Sequence, residues 1–273
     1  MQARAFLSPM FVVIAMLLGA GAPRARAQGA PAAPSATAAP DAAHGWTGET
    51  MPKGMRKGAK KPVYVWKKPG DAKAIEIEMV YVPAGDFIMG TDDTASYFSD
   101  AHPRHTHPMP NGTYIGRNDV TWAQYLAFCN ATGRARPEAP RWGIQRDHPV
   151  VNVSWDDAVA FCTWAGLRLP SEAEWEKAAR GTDGRKYPWG NDDPTSSLCM
   201  YYSRDGTSPV GSHPAGASPC GALDMAGNVW QWCADWYDRN AYKRYANGDT
   251  SPPTGSRDRV RRGCSWYDDA VFC

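Results

Sequence analysis

The sequence predicts a mixed α+β domain in which loops outweigh regular elements. Residues 79–90 alternate apolar side chains around a Pro-Ala-Gly break, which is typical of two short strands joined by a tight turn. Residues 168–181 carry Ser171 three positions before Glu174 and end on Gly181, a pattern that predicts a capped helix. Between residues 188 and 255, frequent Gly, Pro and Asn leave room only for short strands within loops.

The first of these elements is predicted to be a β-hairpin, and a short amphipathic helix is predicted after it. Apolar side chains at Val120, Tyr125 and Phe128 recur at helical spacing behind Thr121, a favourable N-cap residue. We expect this helix to end near Gly133, because glycine readily adopts the conformation that closes a helix.

A second helix is predicted from Trp155 to Trp164. Ser154 is positioned to cap it, and Asp156 and Asp157 lie near its positive end, where carboxylates are favourable. Cys162 then falls on the buried side of this helix. The capped helix after Ser171 follows it in the chain.

The composition indicates a globular chain with ample core material. Its 273 residues fit one sizeable domain or two small ones, and 43% are hydrophobic, with 12 Trp among them. The net charge of +2 comes from 30 basic and 28 acidic residues that are interspersed. No extended basic face is implied, so we expect no nucleic-acid partner.

The N-terminus has the pattern of a secretory signal peptide. Arg4 supplies the positive region, residues 11–18 the apolar run, and Ala25-Arg26-Ala27 a small-x-small cleavage site. The apolar run is short for a transmembrane helix, although an uncleaved anchor stays open as the alternative. We therefore expect a secreted or periplasmic protein that is cleaved after Ala27 and has no membrane span afterwards.

The chain divides into three predicted parts. Residues 1–27 are the signal peptide, and residues 28–63 are an Ala/Pro-rich linker without helical or strand periodicity. Residues 64–273 are the folded domain, which has a normal single-domain length.

The cysteines number seven, which is odd for a chain predicted to meet an oxidising compartment. At least one thiol therefore lacks a partner within the chain. The spacings are too irregular for a zinc framework, and export favours disulfides. The seven are Cys129, Cys162, Cys199, Cys220, Cys233, Cys264 and Cys273.

Several long motifs follow one another in the order that is typical of one family. They are Val82-Pro-Ala-Gly-Asp-Phe-Ile-Met-Gly, Asn152-Val-Ser-Trp-Asp-Asp-Ala, Arg168-Leu-Pro-Ser-Glu-Ala-Glu-Trp-Glu and Gly227-Asn-Val-Trp-Gln-Trp. With them, residues 79–273 resemble the sulfatase-modifying factors, the formylglycine-generating enzymes. The resemblance implies a loop-rich α+β fold similar to C-type lectins. It also implies that the domain is incomplete at its C-terminus and that Cys162 pairs with a cysteine beyond Cys273.

The segment Arg259-Val-Arg-Arg-Gly-Cys-Ser resembles the start of the family's active-site motif. By that resemblance, Ser265, Asp268 and Cys273 occupy the three catalytic positions, and Asp268 stands where the enzymes have the first of two copper-binding cysteines. Thiolate pairs suit Cu(I), whereas a carboxylate prefers harder ions, so a copper (Cu) site at Cys273 is doubtful.

Cys264 stands where the family normally has glycine. It could be a replacement ligand, one half of a disulfide, or a small buried apolar residue. If the glycine is needed for an unusual backbone angle, Cys264 strains the turn.

Two functions follow from the resemblance. The first is an oxidase that uses O₂ to convert a cysteine in a Cys-x-Pro-x-Arg segment of an exported protein or peptide to formylglycine. The second is a non-catalytic, lectin-like binding or accessory module, and Asp268 at the copper position favours it.

A calcium site is the other metal expectation. Asp224-Met-Ala-Gly-Asn-Val-Trp-Gln resembles a family calcium loop, in which Asp224, the carbonyls of Gly227 and Val229, and Gln231 would supply oxygens to Ca²⁺. Gln231 replaces a charged Glu, which weakens affinity unless Asp224 compensates. The alternative is a tight turn held by Trp230 and Trp232.

Histidines at positions 102, 105 and 107 also suggest a metal, because His105 and His107 would share one face of a strand. No carboxylate or cysteine at a suitable spacing completes such a site. We therefore interpret the segment as a surface loop that leads into a strand.

Overall fold

The chain folds around three sheets and four α-helices in the computed structural model, which describes residues 11–13, 16–17, 55–58, 63–67, 75–93 and 99–273. The strands are β1 (Phe11–Val13), β2 (Met16–Leu17), β3 (Met55–Lys57), β4 (Tyr64–Lys67), β5 (Glu76–Val82), β6 (Phe87–Met89), β7 (His105–His107), β8 (Thr113–Gly116), β9 (Leu167–Arg168), β10 (Trp230–Trp236) and β11 (Arg259–Arg262). The helices are α1 (Trp122–Thr132), α2 (Trp155–Ala165), α3 (Glu172–Arg180) and α4 (Ala241–Ala246), with 3₁₀ turns at Pro214–Gly216 and Ala270–Phe272. The predicted α+β class is confirmed.

The largest sheet has the strand order β3-β4-β5-β8-β2-β9. A second sheet has the order β1-β10-β11, and β6 pairs with β7 in a third. In the main core, α1 and α2 pack beside β4 and β5 through large side chains that are almost fully buried. These include Tyr64, Met79, Trp122, Tyr125 and Phe161.

The helix predictions are confirmed, including their caps. Thr121, Ser154 and Ser171 each accept a hydrogen bond from the backbone three residues on and complete a capping box. Gly133 closes α1 in the left-handed conformation, as its position in the sequence predicts. Cys162 is buried, with 1% of its surface exposed.

The predicted hairpin over residues 79–90 is wrong, although both of its strands exist. β5 pairs with β4 and β8, whereas β6 pairs with β7. The connection does not close a hairpin, because both edges of β5 are already paired, with β4 on one side and with β8 on the other. The Nζ atom of Lys177 on α3 binds the carbonyl oxygens of Pro83 and Gly85 in this connection, at 2.6 and 2.7 Å.

Three strands lie within the predicted signal peptide and linker. Met55–Lys57, inside the predicted linker, is a strand that pairs with β4. The sequence does not predict it, because three residues are too few to show the alternation of a strand. In the predicted signal peptide, β1 pairs in parallel with Trp230–Trp232, and β2 lies between β8 and β9. The other residues before position 55 lie outside the described part of the chain.

The second half consists mostly of loops, as predicted. Two regular elements in this half were not predicted: β10, which is seven residues long, and the helix α4, which follows it. Among the described residues, no helix combines the length and the apolar character that a membrane crossing requires.

Candidate functional site

The loop after β11 carries the three predicted catalytic positions. Gly263 and Cys264 both have positive φ angles, 98° and 54°, so the chain turns sharply as it leaves the strand. Two backbone hydrogen bonds then fasten the loop to the turn before β10: Gly227 N–H donates to the Gly263 carbonyl, and Trp266 N–H donates to the Asn228 carbonyl. The candidate active-site loop and the candidate calcium loop are therefore in direct contact.

Asp268 closes a turn within this loop. Its Oδ2 atom accepts hydrogen bonds from the backbone nitrogen of Ser265 at 2.9 Å and from the Ser265 hydroxyl at 2.7 Å. Ser265 is itself buried, with 2% of its surface exposed. The structure brings these two predicted residues together as a local cap.

Cys273 forms a disulfide with Cys264, with 5.1 Å between their Cα atoms. Of the three roles that the sequence left open for Cys264, the structure assigns the disulfide half. Cys264 is fully buried, and its φ of 54° lies in the left-handed region that glycine enters without penalty. The strain expected at this position is therefore present.

These residues do not fit a copper ion as they stand. The only sulfur at the two family copper positions is that of Cys273, and it is bonded to Cys264. The other position, Asp268, offers a hard oxygen that is engaged by Ser265. A thiolate pair for Cu(I) is absent from this arrangement.

Gln231 does not fit the calcium role that the resemblance implies. Its carboxamide is fully buried; Oε1 accepts the indole N–H of Trp175 at 2.6 Å, and Nε2 donates to Asp119 Oδ1 and to the Asp224 carbonyl, both at 2.8 Å. The amide thus acts as a connector between three chain segments. Asp224 differs, because its carboxylate accepts only from Gly211 N–H, at 2.7 Å, among the hydrogen bonds of the described residues.

The turn from Asp224 to Asn228 is tight. Asp224, Gly227 and Asn228 have positive φ angles of 55°, 83° and 64°. A Cβ atom on Gly227 would lie 2.3 Å from the carbonyl oxygen of Met200, so only glycine fits there. The tight-turn alternative therefore describes the backbone well, while calcium binding stays a prediction.

A buried charge cluster that the sequence did not predict lies beneath β11. Arg262 reaches Glu172 at 3.2 Å and Glu176 at 2.8 Å, and the hydroxyl of Tyr242 donates to Glu176 at 2.8 Å. Burial raises the pKa of Glu172 to about 7, although Arg262 opposes this rise. For Glu176, burial favours a higher pKa, but the cations Arg262 and Arg180, together with hydrogen bonds from Gly90 N–H and the Tyr242 hydroxyl, hold the pKa below its usual range.

This cluster lies at one wall of a cleft of about 510 Å³ between the β10–β11 ribbon and neighbouring loops. Glu172, Trp230, Trp232, Tyr237 and Arg262 are among the side chains that line it. The only local signal for the cluster was the Glu-x-x-x-Glu spacing at positions 172 and 176 on α3, which also suits a solvated helix face.

The surface around the disulfide is apolar and exposed. Tyr202 and Tyr267 expose 66% and 68% of their surface, and Val271 and Phe272 expose 46% and 38%. The Tyr202 backbone N–H donates to the Asp268 carbonyl, which places Tyr202 beside the loop. We call these four residues the aromatic patch.

The histidine segment is a loop that leads into a strand, as predicted. His105 and His107 share one face of β7, with 3.4 Å between His105 Nε2 and His107 Nδ1. In the described part of the chain, no three His, Cys, Asp or Glu residues are placed to hold a metal together. The rings of His107 and Tyr245 pack edge to face at 5.1 Å, so this pair belongs to an aromatic cluster.

His107 predicts a pH dependence of stability. Burial, assisted by the charge of His105, lowers the pKa of His107 from 6.5 to about 4. The unfolded chain therefore takes up a proton that the folded chain excludes, and stability is lost as the pH falls from about 6.5 to about 4.

We expect His107→Gln to flatten the dependence of the unfolding free energy on pH in this window, measured by urea denaturation. Equal slopes for the two proteins between pH 4.5 and 6.5 would contradict the assignment.

The pairing of Cys162 with a cysteine beyond Cys273 stays a prediction. Within the described residues Cys162 is a free thiol, as are Cys129, Cys199, Cys220 and Cys233. Burial raises the pKa of the Cys162 thiol.

The fold and this loop define a formylglycine-generating-enzyme-like domain, and the comparisons with known proteins agree. Residues 67–273 match the family described as the sulfatase-modifying factor enzyme 1-like domain. The chain belongs to that family.

Its relatives carry different functional names. A formylglycine-generating enzyme of Thermomonospora curvata is 32% identical over 255 residues, covering 71% of this chain and 84% of the relative. An inactive C-alpha-formylglycine-generating enzyme 2 of Mus musculus is 38% identical over 149 residues, covering 50% of this chain and 44% of the relative. The structure of PvdO from Pseudomonas aeruginosa is 29% identical with a TM-score of 0.64, covering 78% and 90% of the two chains.

Proposed function

We propose that this chain is an exported formylglycine-generating-enzyme-like protein that binds a segment of another exported protein at the aromatic patch without oxidising it. The observation that carries the proposal is the Cys264–Cys273 disulfide at the position of the family's copper pair. Because the disulfide removes the thiolate, this loop retains a binding surface but lacks the ligands for oxygen activation.

The aromatic patch supports a binding role. Large apolar side chains that are exposed side by side are characteristic of interaction sites, and tyrosine adds a polar hydroxyl to an apolar ring. Backbone hydrogen bonds from Tyr202 and Ser203 to the carbonyls of Asp268 and Trp266 hold the two segments of the patch together. A partner would therefore meet a preorganised surface.

The names of the relatives do not by themselves decide between catalysis and binding. One relative is named a formylglycine-generating enzyme and another is named an inactive form. Oxidation of a substrate cysteine remains the second candidate function, favoured by Ser265 and Cys273 at the family positions.

The test uses a fluorescent Cys-x-Pro-x-Arg peptide of the kind that the family's substrates contain. We expect binding by fluorescence anisotropy, and we expect Tyr202→Ser combined with Tyr267→Ser to weaken it at least tenfold. Tyr237→Ser is the matched control, because Tyr237 is 39% exposed but lines the separate β10–β11 cleft.

Mass spectrometry of the same peptide tests catalysis. The peptide should keep its thiol and gain no aldehyde after incubation with the protein in air. Conversion to the aldehyde would favour the oxidase, and peptide affinity unaffected by the tyrosine substitutions would remove the proposed surface.

Export is tested by N-terminal sequencing of protein recovered from the medium or periplasm. Cleavage after Ala27 would give a chain that begins at Gln28 and would remove the segments of β1 and β2. A mature protein that begins at Met1 in the cytosol would overturn the proposed localisation.

A further inference from the structure

The N-terminal segment supplies strands to two of the three sheets. β2 (Met16–Leu17) lies inside the largest sheet, antiparallel to β8 on one side and to β9 on the other. β1 (Phe11–Val13) pairs in parallel with Trp230–Trp232, on the side of β10 opposite to β11. Both strands belong to the residues that cleavage after Ala27 would remove.

Removal of β2 would open a position one strand wide between β8 and β9, which we call the acceptor position. β8 would keep β5 as its neighbour, whereas β9 pairs with no strand other than β2 in the described part of the chain. With β2 in place, Ile115 on β8 and Leu167 on β9 are 0% and 4% exposed. An open acceptor position would therefore present unpaired backbone groups between apolar side chains, which is a template for another strand.

The walls of the acceptor position favour an apolar strand. All four residues of β8 are buried. The charged residue of β9, Arg168, makes two hydrogen bonds of 2.7 Å to the Glu174 carboxylate, so its charge is already neutralised. Beside β9 lies a groove of about 490 Å³, and the apolar side chains along it include Trp155, Val159, Leu167, Leu169 and Pro253.

We propose that the exported chain accepts an extended apolar segment of another exported protein as a strand between β8 and β9, and that the same segment continues along the edge of β10. The segment that takes these positions here, Phe-Val-Val-Ile-Ala-Met-Leu, indicates the partner's chemistry: seven apolar residues without proline or charge reach both places. Main-chain hydrogen bonds supply the affinity of such a strand addition, and the side chains of the walls supply its selectivity.

The acceptor position rests on the export and cleavage given under the proposed function, but it is a different surface from the aromatic patch. Before cleavage, the chain's own segment fills the position. Because that segment is covalently attached, its effective concentration is high, and a partner strand is excluded. Cleavage after Ala27 therefore makes the position available only to the exported protein.

The first experiment opens the acceptor position in the full chain with Met16→Pro. Since β2 has neighbours on both sides, a proline there removes an N–H that faces one of them. The probe is a fluorescent synthetic peptide with the sequence of residues 9–19 and a lysine tail for solubility. We expect the variant to bind this peptide at least tenfold more tightly than the unmutated full chain, whose own segment competes.

Two controls separate strand pairing from general hydrophobic association. Ala20→Pro leaves the sequence of residues 11–17 intact, so the full chain with this substitution should bind the peptide as weakly as the unmutated chain. A peptide that itself carries Met16→Pro keeps almost the same composition but should not bind. Equal binding of the two peptides, or no binding to the Met16→Pro chain, would overturn the proposal.

Hydrogen exchange locates the bound peptide. In the Met16→Pro chain, the backbone amides of β8 and β9 should exchange faster than in the unmutated chain, and added peptide should slow them again, while the amides of α1 stay unchanged. If the variant does not fold, peptide present during refolding should restore its circular dichroism spectrum. Failure to restore it would contradict the acceptor position.

Protein recovered after export distinguishes this inference from the proposed function. A chain that begins at Gln28 should bind the peptide as the Met16→Pro chain does, and Tyr202→Ser with Tyr267→Ser should leave that binding unchanged. If its β8 and β9 amides are already protected without added peptide, another segment of the same chain fills the position and the inference is wrong. A recovered chain that retains residues 11–17 would contradict cleavage, whereas the Met16→Pro experiment tests the acceptor position without it.

Discussion

Replacing Cys264 by Gly and Asp268 by Cys together should create tight Cu(I) binding, which we do not expect of the unmutated chain. The double variant removes the disulfide partner of Cys273 and restores a thiolate at position 268, so two soft ligands become available. Glycine at position 264 also removes the strain that a side chain causes at the positive φ of 54°. We expect the affinity to rise by several orders of magnitude, measured by competition with a chromophoric Cu(I) chelator.

The single variants separate the two causes. Asp268→Cys alone leaves Cys273 in its disulfide and should gain little, while Cys264→Gly alone supplies only one thiolate. Tight Cu(I) binding by the unmutated, oxidised chain would show that the present ligand set already suffices. That result would contradict the proposal that the protein does not oxidise the segment it binds.

Arg262→Met should destabilise the fold by about 3–5 kcal/mol, because it leaves the buried carboxylates of Glu172 and Glu176 without their shared cation. Glu176 has no exposed surface, so water cannot replace the lost partner. Chemical denaturation at neutral pH measures the loss.

Arg261→Met is the matched control from the adjacent position. Arg261 is exposed, and its guanidinium lies 5.1 Å from the Trp230 ring, so we expect a change within about 0.5 kcal/mol. Arg262→Lys should fall between the two, since an ammonium keeps the charge but cannot contact both carboxylates as a planar fork. Equal effects at positions 261 and 262 would show that the cluster does not support the fold.

The sequence by itself determined the family, the fold class and the three long helices. Helix ends were readable because their signals are local: Ser171 and Glu174 satisfy each other's backbone groups across three residues, and Gly133 ends α1 with its own backbone angle. It also placed Ser265, Asp268 and Cys273 in one short loop. Their chemical roles stay predictions.

Only the tertiary structure decided which groups meet across the chain. The predicted hairpin does not form because β5 pairs with β4 and β8, which leaves β6 to pair with β7 in another sheet. Cys273 is bonded to Cys264, a partner that the sequence left open, in the loop where the resemblance places the family's copper ligands. The hydrogen bond from Gln231 to Asp119 joins two segments that lie 112 positions apart in the chain.

The physical reason is the range of the interactions. A cap or a turn depends on a few neighbouring dihedral angles, which the local residues themselves set. The partner of a buried amide, carboxylate or thiol depends on how the whole core packs, because burial makes an unpaired polar group too costly to leave. The helices of this protein were therefore predictable from the sequence. The hydrogen bonds, ion pairs and disulfide that assemble its candidate sites were not.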